Sequence, residues 1–226
     1  MACCCSPIEG GVAPCPTVVS TVLGTSNGTP ITVNYDASLA VGDLMVIVAC
    51  TSNFQNFQIS QEIAADDNWS IWSALPATGD AGNLAVGLFA KHAEAGDIGG
   101  SVDIFYGGST RASSQVWANL RGFYPPMLPR PDGLVTNDVV SPYVSGPYNP
   151  GRRALAIHYC ALAAFDDLVM PARLTSLLNN KVNDTFPVAF AVGTECVEGN
   201  APTASFTSGT DTDSIVGTIV VPGNIL

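Results

Sequence analysis

One pattern of strands and turns occurs twice in this chain, and it limits the fold more than any other feature. Residues 83–122, NLAVGLFAKHAEAGDIGGSVDIFYGGSTRASSQVWANLRG, hold an apolar run, a short turn at Ala95, Gly96 and Asp97, a second run, a Gly/Ser/Thr turn, and a last run closing at Gly122. Residues 186–223, FPVAFAVGTECVEGNAPTASFTSGTDTDSIVGTIVVPG, go through the same steps, with the short turn at Glu198, Gly199 and Asn200. The approach matches as well: GDLMVIVAC at 42–50 precedes the first copy and GRRALAIHYC at 151–160 the second. Runs joined by tight turns predict an antiparallel meander in each copy. The returning pattern predicts two related β half-units.

Within residues 44–50 both alternating sets are apolar, Leu44, Val46 and Val48 against Met45, Ile47 and Ala49, so this strand is expected to be covered on both faces. In residues 113–121, Val116, Ala118 and Leu120 form the core face. Trp117 then covers the outer face or meets another subunit. Further strands are predicted at 17–23 and 29–35, joined as a hairpin by the turn at 24–28, and at 70–75, after a polar loop anchored by Trp69 and Trp72. Residues 170–178 are the one helix candidate, with Pro171 in the first turn. Strand signals dominate, and Gly 22 and Pro 16 punctuate them. The predicted class is all-β: an antiparallel β-sandwich, jelly-roll-like, in one domain over 17–226 with half-units at about 17–122 and 151–226.

Two segments fall outside the strand pattern. Residues 1–16 carry Cys3, Cys4, Cys5 and Cys15 with three prolines, and are expected to form an extended arm that orders on a partner. Residues 123–150 hold seven of the 16 prolines together with Tyr124, Tyr143 and Tyr148, which predicts an extended crossover rather than central strands. It is either a surface link between sheets or an arm whose tyrosines fill pockets on a neighbour. The arm cysteines and crossover tyrosines are therefore candidate partner contacts, and Trp72 and Trp117 candidate surface aromatics.

No chemical motif stands out. Eight Lys and Arg against a formal net charge of -11 disfavour nucleic acid as a partner. No run approaches the about 20 apolar residues of a membrane span, and MACCCSPIEGG does not resemble a secretory signal. Seven cysteines, three of them adjacent, fit neither a paired disulfide framework nor CxxC zinc spacing, so assembly in a cytoplasm is expected. Cys50 and Cys160 are expected to act as small buried hydrophobes. His92 and His158 lie in apolar strand patterns without GxSxG or HExxH, and are assigned structural roles. The acidic pairs Asp66/Asp67, Asp166/Asp167 and Asp211/Asp213 are taken as solvated loop acids. The expectation is a protein that is not an enzyme and has no cofactor or metal. Only 12% of residues are charged and 47% are hydrophobic, which favours a subunit of an assembly. A homotrimer is expected because closed symmetry hides apolar faces without open-ended growth.

The Gly42-Asp43 opening before an apolar strand, Trp69-Ser70 after a polar loop, the Ala93-Glu94-Ala95-Gly96-Asp97 turn, the Leu120-Arg121-Gly122 close and the Gly-x-x-Pro-Thr-Ala-x-Phe-Thr element at 199–207 form a recognisable set. In this the chain resembles jelly-roll or sandwich structural proteins of tailed-bacteriophage virions, over roughly residues 40–222. The resemblance implies a non-enzymatic virion protein, foremost an outer capsid decoration or cement protein bound to the major capsid protein. Its alternative is a tail or fibre module that binds a host-surface glycan; a virion-associated glycan hydrolase is the third reading. These motifs are turns and core strands, so no catalytic residue is carried over.

Overall fold

Side-chain alternation sets the layering. Every residue of Leu44–Ser52 is buried. Leu44, Val46, Val48 and Cys50 enter one hydrophobic core, while Met45, Ile47 and Ala49 enter another on the opposite face. A strand of this kind is possible only between two covering layers.

The computed structural model describes residues 14–26, 31–52, 69–77, 84–104, 112–123, 130–139, 143–144, 153–184, 187–199 and 202–223, with 70–77, 130–139, 143–144 and 213 as backbone alone. In chain order the strands are β1 (Thr17–Ser26), β2 (Ile31–Asn34), β3 (Leu44–Ser52), β4 (Ser70–Ala77), β5 (Leu84–His92), β6 (Ser101–Ile104) and β7 (Ser113–Arg121). They continue as β8 (Arg130–Val139), β9 (Tyr143–Val144), β10 (Ala154–Leu162), β11 (Thr175–Val182), β12 (Val188–Val197), β13 (Ser205–Phe206) and β14 (Thr212–Pro222). One sheet has the order β1-β7-β3-β5-β4 and the other β11-β12-β10-β14-β8. Adding seven to each label of the first sheet gives the second, read from its other edge. The small sheets obey the same rule, since β2 pairs with β6 and β9 with β13. All these pairings are antiparallel. The chain is thus an all-β sandwich, and among the described residues it consists of two seven-strand repeats, each supplying one five-stranded sheet.

The two large sheets pack face to face over a core that takes Leu44, Val46, Val48, Leu88, Val116 and Leu120 from the first, and Ile157, Tyr159, Phe190, Val192 and Ile219 from the second. Tyr159 lies over Gly217, where any Cβ would collide with its phenol ring. The outer face of the first sheet forms a core with Ile31, Val33, Val102 and Ile104 of β2 and β6. The outer face of the second is covered in part by Phe206 of β13 and by Leu168 and Leu174. Both faces of the central strands are therefore buried within a single chain, and the two-faced apolar pattern gives no reason to invoke a neighbour.

The structure revises several expectations. β6 does not lie between β5 and β7 as a meander requires; it leaves to pair with β2, and β7 pairs with β1 and β3. For the same reason β1 and β2 are not a hairpin. Residues 170–178 are not helical: a turn from Pro171 to Leu174 leads into β11. A register shift between Ser176 and Leu178 brings both Leu177 and Leu178 against the central core, and this produces the helix-like leucine spacing. Residues 123–150 contain β8 and β9, the opening strands of the second repeat, so the junction between repeats lies between Phe123 and Arg130. Pro131 is accommodated because β8 is an edge strand, where one side carries no ladder bonds.

Residues 14–16 are also part of the domain. An isolated bridge joins Phe123 to Gly223 at the ends of β7 and β14, and the chain before β1 crosses beside it. A Cβ on Gly223 would stand 2.8 Å from the Pro14 carbonyl oxygen and 3.0 Å from that of Arg153. Gly122, with φ 81°, makes the turn out of β7 beside Pro16. Cys15 then forms a disulfide with Cys196 of β12, linking the segment that leads into the first sheet to the second sheet. This corrects the reading of Cys15 as a partner contact on a detached arm. It pairs within its own chain.

Candidate functional site

Among the described residues, a cavity with charged walls stands out. It forms where β5 runs out at His92 and the chain turns through a single 3-10 turn, Ala95–Asp97, into β6. The Asp97 carboxylate folds back over this turn, with Oδ2 accepting the Glu94 N–H at 2.7 Å and Oδ1 accepting from Lys91 Nζ at 2.7 Å. The Lys91 and Asp97 side chains are only 8% and 10% exposed, so the pair is largely withdrawn from water. A buried pair of this kind gains little net stability, because desolvation offsets the attraction, but it fixes both groups in place. Tyr35, Trp69, Glu94, Gly96, Gly100 and Ser101 complete the lining around about 190 Å³. Tyr35 in turn stacks on Trp117, with centroids 5.7 Å apart.

A second polar group is closed to solvent. His158 sits on β10 between Thr218 of β14 and Gly193 of β12. Its Nε2 lies 3.0 Å from Glu195 Oε1, and its Nδ1 lies 2.9 Å from Thr218 Oγ1. Arg173 Nε donates to Glu195 Oε2 at 2.9 Å, and its Nη2 donates to the Thr203 carbonyl at 2.7 Å. Burial pushes the His158 pKa down, Glu195 pulls it up, and Arg173 pushes it down again, with a net fall below 6.5. Neutral imidazole then has one arrangement that suits both neighbours: Nε2–H donates to the carboxylate, and Nδ1 accepts the Thr218 hydroxyl. The order hydroxyl, imidazole, carboxylate is that of a nucleophilic triad. However, Thr218 and His158 are both fully buried, so the hydroxyl faces no substrate.

This network predicts acid sensitivity. Because the folded-state pKa of His158 lies below the free value of 6.5, the unfolded chain binds the proton first. The His158 contribution to stability is complete above about pH 6.5 and is lost as pH falls from there through the folded-state pKa. Urea midpoints measured from about pH 8 down to about pH 5 should fall. His158→Gln, which keeps one donor and one acceptor, should flatten that fall; an equal slope in the variant would remove His158 as its source.

The other singled-out residues fall in different places. Trp117 is fully buried under β2 and β6 and is not a surface aromatic, because Trp117 and its neighbours Met45 and Ile47 face a layer supplied by the same chain. Trp72 and Tyr143 lie on β4 and β9 in backbone terms. Cys3, Cys4, Cys5, Tyr124, Tyr148, Asp66 and Asp67 lie outside the described residues. Cys50 and Cys160 are buried free thiols whose pKa values burial pushes up, in keeping with inert packing roles. Asp166 accepts from the Ser208 and Thr210 hydroxyls at 2.7 and 2.5 Å, and together with the Asp167 N–H these hold its carboxyl well below the usual range. It clamps the loop after β10 to the loop before β14. Among the described residues no three His, Cys, Asp or Glu side chains gather as a metal site.

The sequence reading missed the cavity. Trp69 was visible in it as an anchor and Asp97 as a turn acid, but Lys91 lies within the apolar run LAVGLFAKH. A lysine at a buried strand position, followed six residues later by an aspartate in a turn, was the available signal. No family model, curated protein or solved structure matches the chain.

Proposed function

We propose that the chain is a non-enzymatic structural protein of a tailed-phage virion, carried on the outer surface of the particle against the major capsid protein. The observation that carries this reading is that the residues behind the family resemblance have architectural work to do. Gly42, at φ 89°, opens the turn into β3, and Asp43 accepts two bonds from Arg121 at 2.7 and 2.6 Å, fastening that turn to the end of β7. The polar side chains that could suggest chemistry are engaged with one another, as at His158 and Asp166.

A disulfide between the sheets agrees with display outside the cell, since such bonds persist on virion surfaces and are rare in reducing cytosol. Final oxidation would then follow assembly in the host cytoplasm. With both faces of the central strands covered internally, a homotrimer would be built through strand edges. β1 is such an edge, and it exposes Leu23 and part of Val19.

The test is quantitative mass spectrometry of gradient-purified particles of the encoding phage. A fixed ratio to the major capsid protein is the expected result. Absence from the particle overturns the reading, and a few copies confined to the tail reassign the chain to a tail or fibre module. Sedimentation of the free protein at micromolar concentration tests the trimer separately, and a monomer there removes that part.

A further inference from the structure

We propose that the cavity between Tyr35, Trp69, Lys91 and Asp97 is a subsite for one neutral hexose unit of a glycan. The proposal does not depend on which surface displays the chain. The cavity, at about 190 Å³, is smaller than the ~300–1,000 Å³ of drug-sized pockets and admits a single ring. Its depth is formed by buried residues, with Tyr35, Trp69, Lys91 and Asp97 all under a tenth exposed, while Glu94, Gly96 and Ser101 stand exposed at the rim.

The polar groups match a polyol. An ammonium has three donors, and Lys91 commits one to Asp97, with no second partner among the described residues. A ligand oxygen that accepts from Lys91 would complete it. Carboxylates accept only; Asp97 and Glu94 each already hold the other's backbone N–H, and their remaining lone pairs can take hydroxyl donors. A sugar hydroxyl both donates and accepts, and neighbouring hydroxyls on one ring satisfy an ammonium and a carboxylate held side by side. Trp69 and Tyr35 supply apolar surface for the C–H groups of the ring.

Charge selects among sugars. The walls hold one ammonium against two carboxylates, on a chain of net charge -11, so an acidic sugar or a phosphate is repelled. The site is also preorganised, because the Glu94 N–H holds the carboxylate that in turn holds Lys91. Little ordering is then left for the ligand to impose.

The experiment uses the purified full-length chain, with saturation-transfer NMR and calorimetry against the methyl glycosides of glucose, galactose and mannose, and glucuronate as the acidic control. At least one neutral glycoside should bind and glucuronate should not. Lys91→Gln tests the donor, but its site is buried and the fold could suffer, so Gly96→Trp is the decisive variant. A Cβ at Gly96 meets nothing within 4 Å and the backbone there is not left-handed, so a side chain can be added at the mouth without backbone strain. Gly96→Trp should weaken binding about tenfold or more with an unchanged melting curve. No transfer to any neutral glycoside, equal binding of glucuronate, or undiminished binding by Gly96→Trp would each overturn the proposal.

Discussion

Reduction of the Cys15–Cys196 bond, or its removal by Cys15→Ser with Cys196→Ser, lowers the unfolding free energy by about 2–5 kcal/mol. The two cysteines are 181 residues apart, so the bond closes most of the chain into one loop. In the chain-entropy account, a loop of that length confines the unfolded state by about 5 kcal/mol, and residual structure in the unfolded chain brings the measured value lower. The native state loses a fastening as well, because Pro14 and Cys15 lie against Gly223 and Gly122 where the ends of β7 and β14 meet. Urea melts of the full chain with and without a thiol reductant measure the effect. Superimposable curves, in a sample whose intact mass shows a formed disulfide, would refute it. Reductant should leave Cys50 and Cys160 unchanged, since both are buried free thiols.

The location of this bond separates what the sequence disclosed from what it concealed. The two repeats were legible because apolar runs and turn chemistry are local: Gly42 and Gly122 sit at left-handed turns, and strand-length apolar runs such as 44–50 lie between them. Strand partners were not legible. Ser101–Ile104 has the same short alternation whether it pairs with β5 or, as it does, with β2. β8 was hidden by Pro131, a residue that rules out a central strand but not an edge strand. Cys15 and Cys196 meet only once both repeats have folded, and no local pattern at either residue points to the other. The cavity was obscure for the same reason, since Trp69 and Tyr35 come from different loops and reach Lys91 and Asp97 through tertiary packing.

Trp117→Ala is expected to cost about 3–5 kcal/mol, whereas Trp117→Phe should change stability by less than about 1.5 kcal/mol. The indole is fully buried among Met45, Ile47, Phe89, Val33 and Val102, so truncation leaves a void between β7 and the β2–β6 layer. Tyr35 would also lose its stacking partner, and with it a wall of the neighbouring cavity would loosen. Phe retains an aromatic ring for Tyr35 and most of the buried area. It also discards the indole Nε1–H, which is buried without a hydrogen-bond partner among the described residues. An unmet donor of this kind costs about 1–3 kcal/mol, so its removal offsets part of the volume lost. The contrast between the two variants distinguishes a core tryptophan from a surface contact. A surface tryptophan would lose binding and keep its melting temperature on going to Ala, and the Phe variant would give no rescue of stability because none had been lost. Thermal melts of the two variants beside the parent decide the matter, and an unchanged melting temperature for Trp117→Ala would require the β2–β6 layer to leave this face open.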